Sequence, residues 1–188
     1  MSGLITATAD GRFLARALGD SSLLILLAIF VNIPIVAQRV DTIQVFALNR
    51  KDWLFSAIAQ AGERGLSPIQ IQKAMFLLRM EASEAVGRQF YAFTPYNYGP
   101  FSSSIYGDVD LLVASGYVRE TNLGHYSRYL VTDSGRDRAA SLLGQMPGDA
   151  REYLSNMIIW ILSVDFTQLL RSIYAKYPDY ARNSVFRY

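Results

Sequence analysis

The run PYNYGPFSSSIYGDVDLLVASGYV, Pro95 to Val118, restricts the possible folds more than any other part of the chain. Gly99-Pro100 interrupts whatever precedes it, and proline suits a first helical turn, where its missing N–H would be unpaired anyway. A helix is therefore predicted over Phe101 to Ser115. Within it Ile105, Val109, Leu112 and Val113 recur at helical spacing and turn one apolar stripe toward a core. Gly116 stands where a left-handed residue would end that helix, and Tyr117-Val118 starts an extended segment. Helix, glycine stop and short strand, in that order, are the middle of a winged helix.

The surrounding sequence fits the same plan. From Arg50 to Ala61, Trp53, Leu54, Ala57, Ile58 and Ala61 share one face of a first helix that stops at Gly62. After the loop Glu63-Arg64-Gly65, Ser67, Pro68 and Gln70 have the spacing of a capping box, with proline at the first helical position. Ile71, Ala74, Met75 and Leu78 form the buried stripe of that second helix. The connection from Ala82 to Gly99 is too long for the tight form of a helix-turn-helix. Beyond the third helix, Tyr117 to Glu120 and Tyr126 to Val131 flank the polar loop Thr121 to Gly124 and read as a hairpin, the wing. Thr132 or Asp133 caps a helix through Arg136 to Leu143. Asp149 with Glu152, and Asp165 with Gln168, mark two further helix starts. The expected fold is mainly α with a small β-hairpin: a winged-helix-like domain over 45–188 with extra C-terminal helices from about 149.

Residues 1–44 differ in composition. Leu23 to Ala37 reads LLILLAIFVNIPIVA, without charge, after Arg12 and Arg16 and before Arg39. It is shorter than the roughly 20 apolar residues of a membrane span. A signal-peptide core has about this length, but Ile35 is a poor small residue three before Ala37. Four readings stay open: a start site set too early, with Met1 to Arg39 being upstream sequence read in frame; a membrane anchor; a signal peptide; or an apolar helix packed on the domain. The expected location is cytoplasmic, with membrane anchorage as the alternative if residues 1–44 are native.

Composition excludes several chemistries. The 188 residues contain no cysteine and one histidine, His125 at the predicted wing tip. Disulfides, thiolate nucleophiles and an ordinary zinc site are thereby removed. Ser102, Ser103 and Ser104 lie in no nucleophile elbow and suit a helix N-terminus. Asp108 and Asp110 are two apart on a helix and do not face each other. With no phosphate loop or dinucleotide fingerprint, no enzyme activity, cofactor or metal is expected.

Two kinds of binding remain. A winged helix commonly places its third helix in the DNA major groove. That helix has no Lys or Arg here and carries Asp108 and Asp110, which opposes the phosphate attraction supplying most nonspecific affinity. A DNA grip would fall to Arg119 and Arg128 of the wing, Arg136 and Arg138 of the next helix, and Ser102 and Ser103 at the helix start. Protein binding has a better candidate surface, since aromatics crowd the run from Phe90 to Tyr106 and tyrosine combines apolar area with a polar tip. Tyr96, Asn97 and Tyr106 are the candidates for an exposed patch. Phe93, Phe101 and Tyr98 are expected to pin the turn from within the core, with Tyr98 also a candidate for the interaction surface. The tail from Tyr177, YPDYARNSVFRY, forms a second interface or wraps back onto the domain.

From Lys51 to Tyr180 the order QKAMFLL, PYNYGPFSSSIYGDVDLLVASGYV, YLVTDSGRDRA resembles the phage-associated, SocA-like antitoxin group with its Panacea domain, and the YwgA-like relatives. Tyr98-Gly99-Pro100 running into a helix with Tyr106 is the most specific part. The resemblance implies a non-enzymatic bacterial or phage protein that neutralises a toxin or acts as a proteolytic adaptor. Its partner would be a protein of toxin or protease type, with DNA-binding regulation as the alternative. The apolar N-terminus departs from the family pattern.

Overall fold

A computed structural model describes residues 48–123 and 126–186. Residues 1–47, and with them the four readings of the apolar segment, lie outside the described residues, as do Gly124, His125, Arg187 and Tyr188. The first helix, α1 (Arg50–Gln60), is opened by Asn49, whose side chain accepts from the Lys51 and Asp52 amides while Asp52 returns the bond to the Asn49 N–H. Trp53 to Ile58 are all buried, so the helix runs through the core. A single 3-10 turn (Gly62–Arg64) leads to α2 (Pro68–Glu81), which begins with the expected Ser67–Gln70 capping box and Pro68. Between the helices Leu66 forms an antiparallel bridge to Tyr129, with N···O distances of 2.9 and 3.0 Å.

The long connection after α2 contains structure that the helix period does not reveal. A four-residue helix, α3 (Ser83–Val86), is followed by a hairpin of β1 (Thr94–Tyr96) and β2 (Gly99–Phe101), joined through Asn97-Tyr98. Pro100 is therefore a strand residue, and the third helix, α4 (Ser104–Ala114), starts later than the predicted Phe101. Pro95 faces Pro100 in the ladder. Neither has an N–H, so this pair cannot exchange hydrogen bonds, and both carbonyls point away from the partner strand. A two-stranded edge tolerates that arrangement where a central strand would not.

α4 buries Ile105, Val109 and Leu112 as expected, and Asp108 with them. It ends in a Schellman motif, with the Tyr117 N–H on the Leu112 carbonyl and the Gly116 N–H on Val113. Gly116 has φ +76° and open space where a Cβ would sit. Gly116→Ala should therefore lose only the left-handed backbone preference, about 1–2 kcal/mol. The check is a lower denaturation midpoint with an unchanged denaturant slope.

The wing is β3 (Val118–Leu123) paired with β4 (Tyr126–Val131). The strands extend further than expected, because polar Thr121 and Asn122 join the ladder instead of looping out. The Thr121 hydroxyl donates to the Arg128 carbonyl, and Ser127 donates to Asn122 at 2.8 Å. Next come α5 (Asp133–Gln145), capped by Thr132, and α6 (Gly148–Ser163), which starts just before Asp149. The last helix, α7 (Phe166–Lys176), begins with an Asp165–Gln168 capping box. Helices α1, α2 and α4, the Leu66 bridge and the β3–β4 wing make the domain winged-helix-like, mainly α with small hairpins. Leu154, Ile158, Ile161, Leu170 and Ile173 of the C-terminal helices close its core.

The tail wraps back onto the domain. Tyr177 and Tyr180 meet Phe76 edge-on at 5.0 and 4.7 Å, and Phe93 completes the cluster at 5.4 Å. Among the described residues no helix is long and apolar enough to cross a membrane.

Candidate functional site: an aromatic cleft beside a buried lysine

The β1–β2 hairpin is held from both sides through the carbonyls its prolines leave free. Lys73 of α2 donates Nζ to the Pro100 carbonyl at 3.0 Å, and Asn183 of the tail donates Nδ2 to the Pro95 carbonyl at 3.2 Å. At the turn, the Val185 N–H and the Ser184 hydroxyl both donate to the Asn97 carbonyl. At the far end Gln72 takes both polar groups of one backbone unit: its Nε2 donates to the Ser102 carbonyl and its Oε1 accepts the Ser102 N–H, each at 2.9 Å. Gly99 has φ +88°, and a Cβ there would lie 2.9 Å from the Tyr174 ring. Glycine lets the turn seat directly on α7.

So held, the hairpin presents its tyrosines outward. Tyr96, Tyr98 and Tyr106 are 52, 46 and 41 % exposed, and Asn97 is exposed beside them. Phe101 lies between Tyr96 and Tyr106, with ring centroids 4.9 and 5.9 Å away, while Tyr98 meets Phe166 of α7 edge-on at 5.6 Å. The structure thus brings together Tyr96, Asn97, Tyr98 and Tyr106. Tyr98 is a surface residue, which corrects the expectation that it pins the core, and Phe101 is only half-buried, whereas half-buried Phe93 does pack against the core through Phe76. A cleft of about 220 Å³ opens among Tyr96, Tyr98, Phe101 and Tyr106, with Ile69, Gln72 and Lys73 of α2 in its wall. Ile69 and Tyr98 also border a larger neighbouring cleft of about 700 Å³ that reaches Arg128, Phe166 and Leu169.

Lys73 is the unexpected member. It is 2 % exposed, and the Pro100 carbonyl is its one hydrogen-bond acceptor among the described residues. Burial alone pushes its ammonium down to about 7. Its sequence signal is faint but real: Ala74 to Leu78 is an unbroken apolar run that covers every face of α2 and Lys73 adjoins it, and in the fold every residue from Ile71 to Leu78 is buried. Ile69 and Phe166 carried no comparable signal.

The DNA-contact candidates scatter. Ser102 is buried and bound to Gln72, so it offers no contact surface, whereas Ser103 is exposed. Arg128 spends Nη1 on the Arg64 and Gly65 carbonyls, bracing the Leu66 bridge. Arg138 lies 4.0 Å from Asp52 and Arg136 2.7 Å from Asp133. Only Arg119 and Arg136 share a depression, and Glu63 lines it too. Asp108 is not a surface carboxylate. Its Oδ2 accepts from Arg50 Nε and from the Tyr91 hydroxyl, both at 2.8 Å, and the Arg50 guanidinium stands 5.1 Å from the Tyr91 ring centroid. The hydrogen bond to Asp108 raises Arg50, while burial, then the carboxylate, raises Tyr91. The exposed residues of α4 are Ser104, Tyr106, Gly107, Asp110, Leu111 and Ala114, without a cation.

No group of His, Asp and Glu among the described residues has the arrangement of a metal site. No family model and no curated protein matches the chain.

Proposed function

We propose that this chain is a non-enzymatic winged-helix interaction module of the SocA-like antitoxin kind, acting in the cytoplasm by binding a protein partner through the Tyr96–Tyr98–Tyr106 cleft. The observation that carries the reading is three exposed tyrosines on a hairpin fixed by α2 on one side and the tail on the other. Exposed aromatics on a surface already held in place lose little freedom on binding, and such residues dominate protein interfaces. A toxin or protease-type partner fits the resemblance of Tyr98-Gly99-Pro100 and the following helix to that group.

The test is a complex with the partner, captured from native cells, identified and then purified. Tyr96→Ala with Tyr106→Ala should weaken it by roughly 2 kcal/mol or more, with the melting temperature of the domain little changed. Charge should matter less than aromatic area. The DNA reading expects the reverse: loss with Arg119→Ala and Arg136→Ala, and affinity falling steeply with salt. Asp110→Asn is the helix variant to use there, since Asp108 belongs to the fold. A sequence-specific, strongly salt-dependent DNA complex that tightens with Asp110→Asn and ignores the tyrosines would overturn the protein-binding reading.

A further inference from the structure

Resting on that reading, we propose that the partner inserts its chain-terminal carboxylate into the small cleft, with the last side chain among Tyr96, Phe101 and Tyr106 and Lys73 as the counter-cation. An ammonium has three N–H donors. Lys73 has one acceptor among the described residues, a neutral carbonyl, and no carboxylate is among the residues that line the cleft. Lysine is almost never this deeply buried without an anionic partner. The geometry therefore leaves a cation in the wall of an aromatic cleft with donors to give. A carboxylate is the ligand group that satisfies charge and donors together.

The two clefts adjoin and share Ile69 and Tyr98, so the larger gives a chain end a route into the smaller. The space beside Lys73 is about 220 Å³, while the adjoining space past Ile69 and Tyr98 is about 700 Å³. An extended peptide lying along Phe166 and Leu169 in the larger cleft has its last residue in the smaller one, beside the cation. Burial disfavours the Lys73 ammonium, and an arriving carboxylate acts the opposite way by restoring the protonated form. The other titratable groups lining the cleft are the Tyr96, Tyr98 and Tyr106 hydroxyls.

The test uses three probes against the full chain, read by NMR shift titration: acetyl-Gly-Leu-Phe as the free acid, the same peptide as its C-terminal amide, and acetyl-Gly-Glu-Phe-amide. The free acid is expected to bind at least tenfold more tightly than the amide and to compete with the purified partner. Lys73→Met should erase the difference between acid and amide. Equal binding of acid and amide by the wild type overturns the proposal without any variant, so a misfolded Lys73→Met protein cannot shelter it. Preference for the internal glutamate peptide overturns the chain-terminal source. If no probe binds, yet the partner complex still falls with Tyr96→Ala and Tyr106→Ala, this inference fails and the protein-binding reading stands. If the partner complex ignores those tyrosines, the reading itself fails.

Discussion

Asp108→Ala is expected to destabilise the domain by about 2–4 kcal/mol, the largest effect of any polar substitution on α4. Its carboxylate is the meeting point of α1, through Arg50, and of the segment before β1, through Tyr91. Removing one partner of a buried charged cluster typically costs 3–5 kcal/mol, because the remaining polar groups lose their compensation. Here the Arg50 side chain is 41 % exposed and recovers water, which brings the expected loss down. The buried Tyr91 hydroxyl has only a long contact of 3.4 Å to the Arg50 carbonyl to fall back on. Asp110→Ala, two residues along on the open face, serves as the control and should change stability by less than about 0.5 kcal/mol. Urea denaturation of both variants decides it. Equal, small effects for the two would mean that Asp108 is a surface carboxylate after all. A Tyr91→Phe, Asp108→Ala double-mutant cycle then measures the coupling of the pair.

The same contrast shows what the sequence made legible. Periodicity located the helices because their apolar residues face one core: Ile71, Ala74, Met75 and Leu78, then Ile105, Val109 and Leu112, are buried as their spacing implies. Capping signals were equally local, and Ser67–Gln70 and Asp165–Gln168 appear as paired bonds. The β1–β2 hairpin was not legible, since three-residue strands have no period to detect. Pro100 read as a helix start because proline suits both a first turn and a two-stranded edge. Asp108 was misplaced because a carboxylate on a helix is solvated unless something distant meets it, and Arg50 is 58 positions away. For the candidate site, the tyrosines were visible as composition. What organises them is not local: the hairpin depends on Gln72 and Lys73 of α2 and on Asn183 to Val185 of the tail, joined only by folding.

Lys73 should make this protein more stable as the solution becomes mildly alkaline, and Lys73→Met should remove that behaviour. The folded-state ammonium is lowered to about 7 by burial, whereas an unfolded lysine titrates near 10.4. Between those values the unfolded chain holds a proton that the folded chain has released, so unfolding free energy rises with pH, by at most about 1.4 kcal/mol per unit. Below about 7 the lysine is charged in both states and the penalty for burying it is complete. From pH 6 to pH 9 the wild type should therefore gain about 2–3 kcal/mol relative to Lys73→Met. At pH 6 the methionine variant should be the more stable protein by about 2–4 kcal/mol, since a buried charge without an anionic partner is replaced by an apolar chain of similar length. Paired denaturation curves at the two pH values test this. A Lys73→Met protein less stable than wild type at pH 6 would show that the Pro100 contact holds the hairpin strongly enough to outweigh desolvation. The expected outcome is the opposite, with the variant more stable at pH 6 and poorer at binding the partner. That combination separates a residue kept for binding from one kept for the stability of the fold.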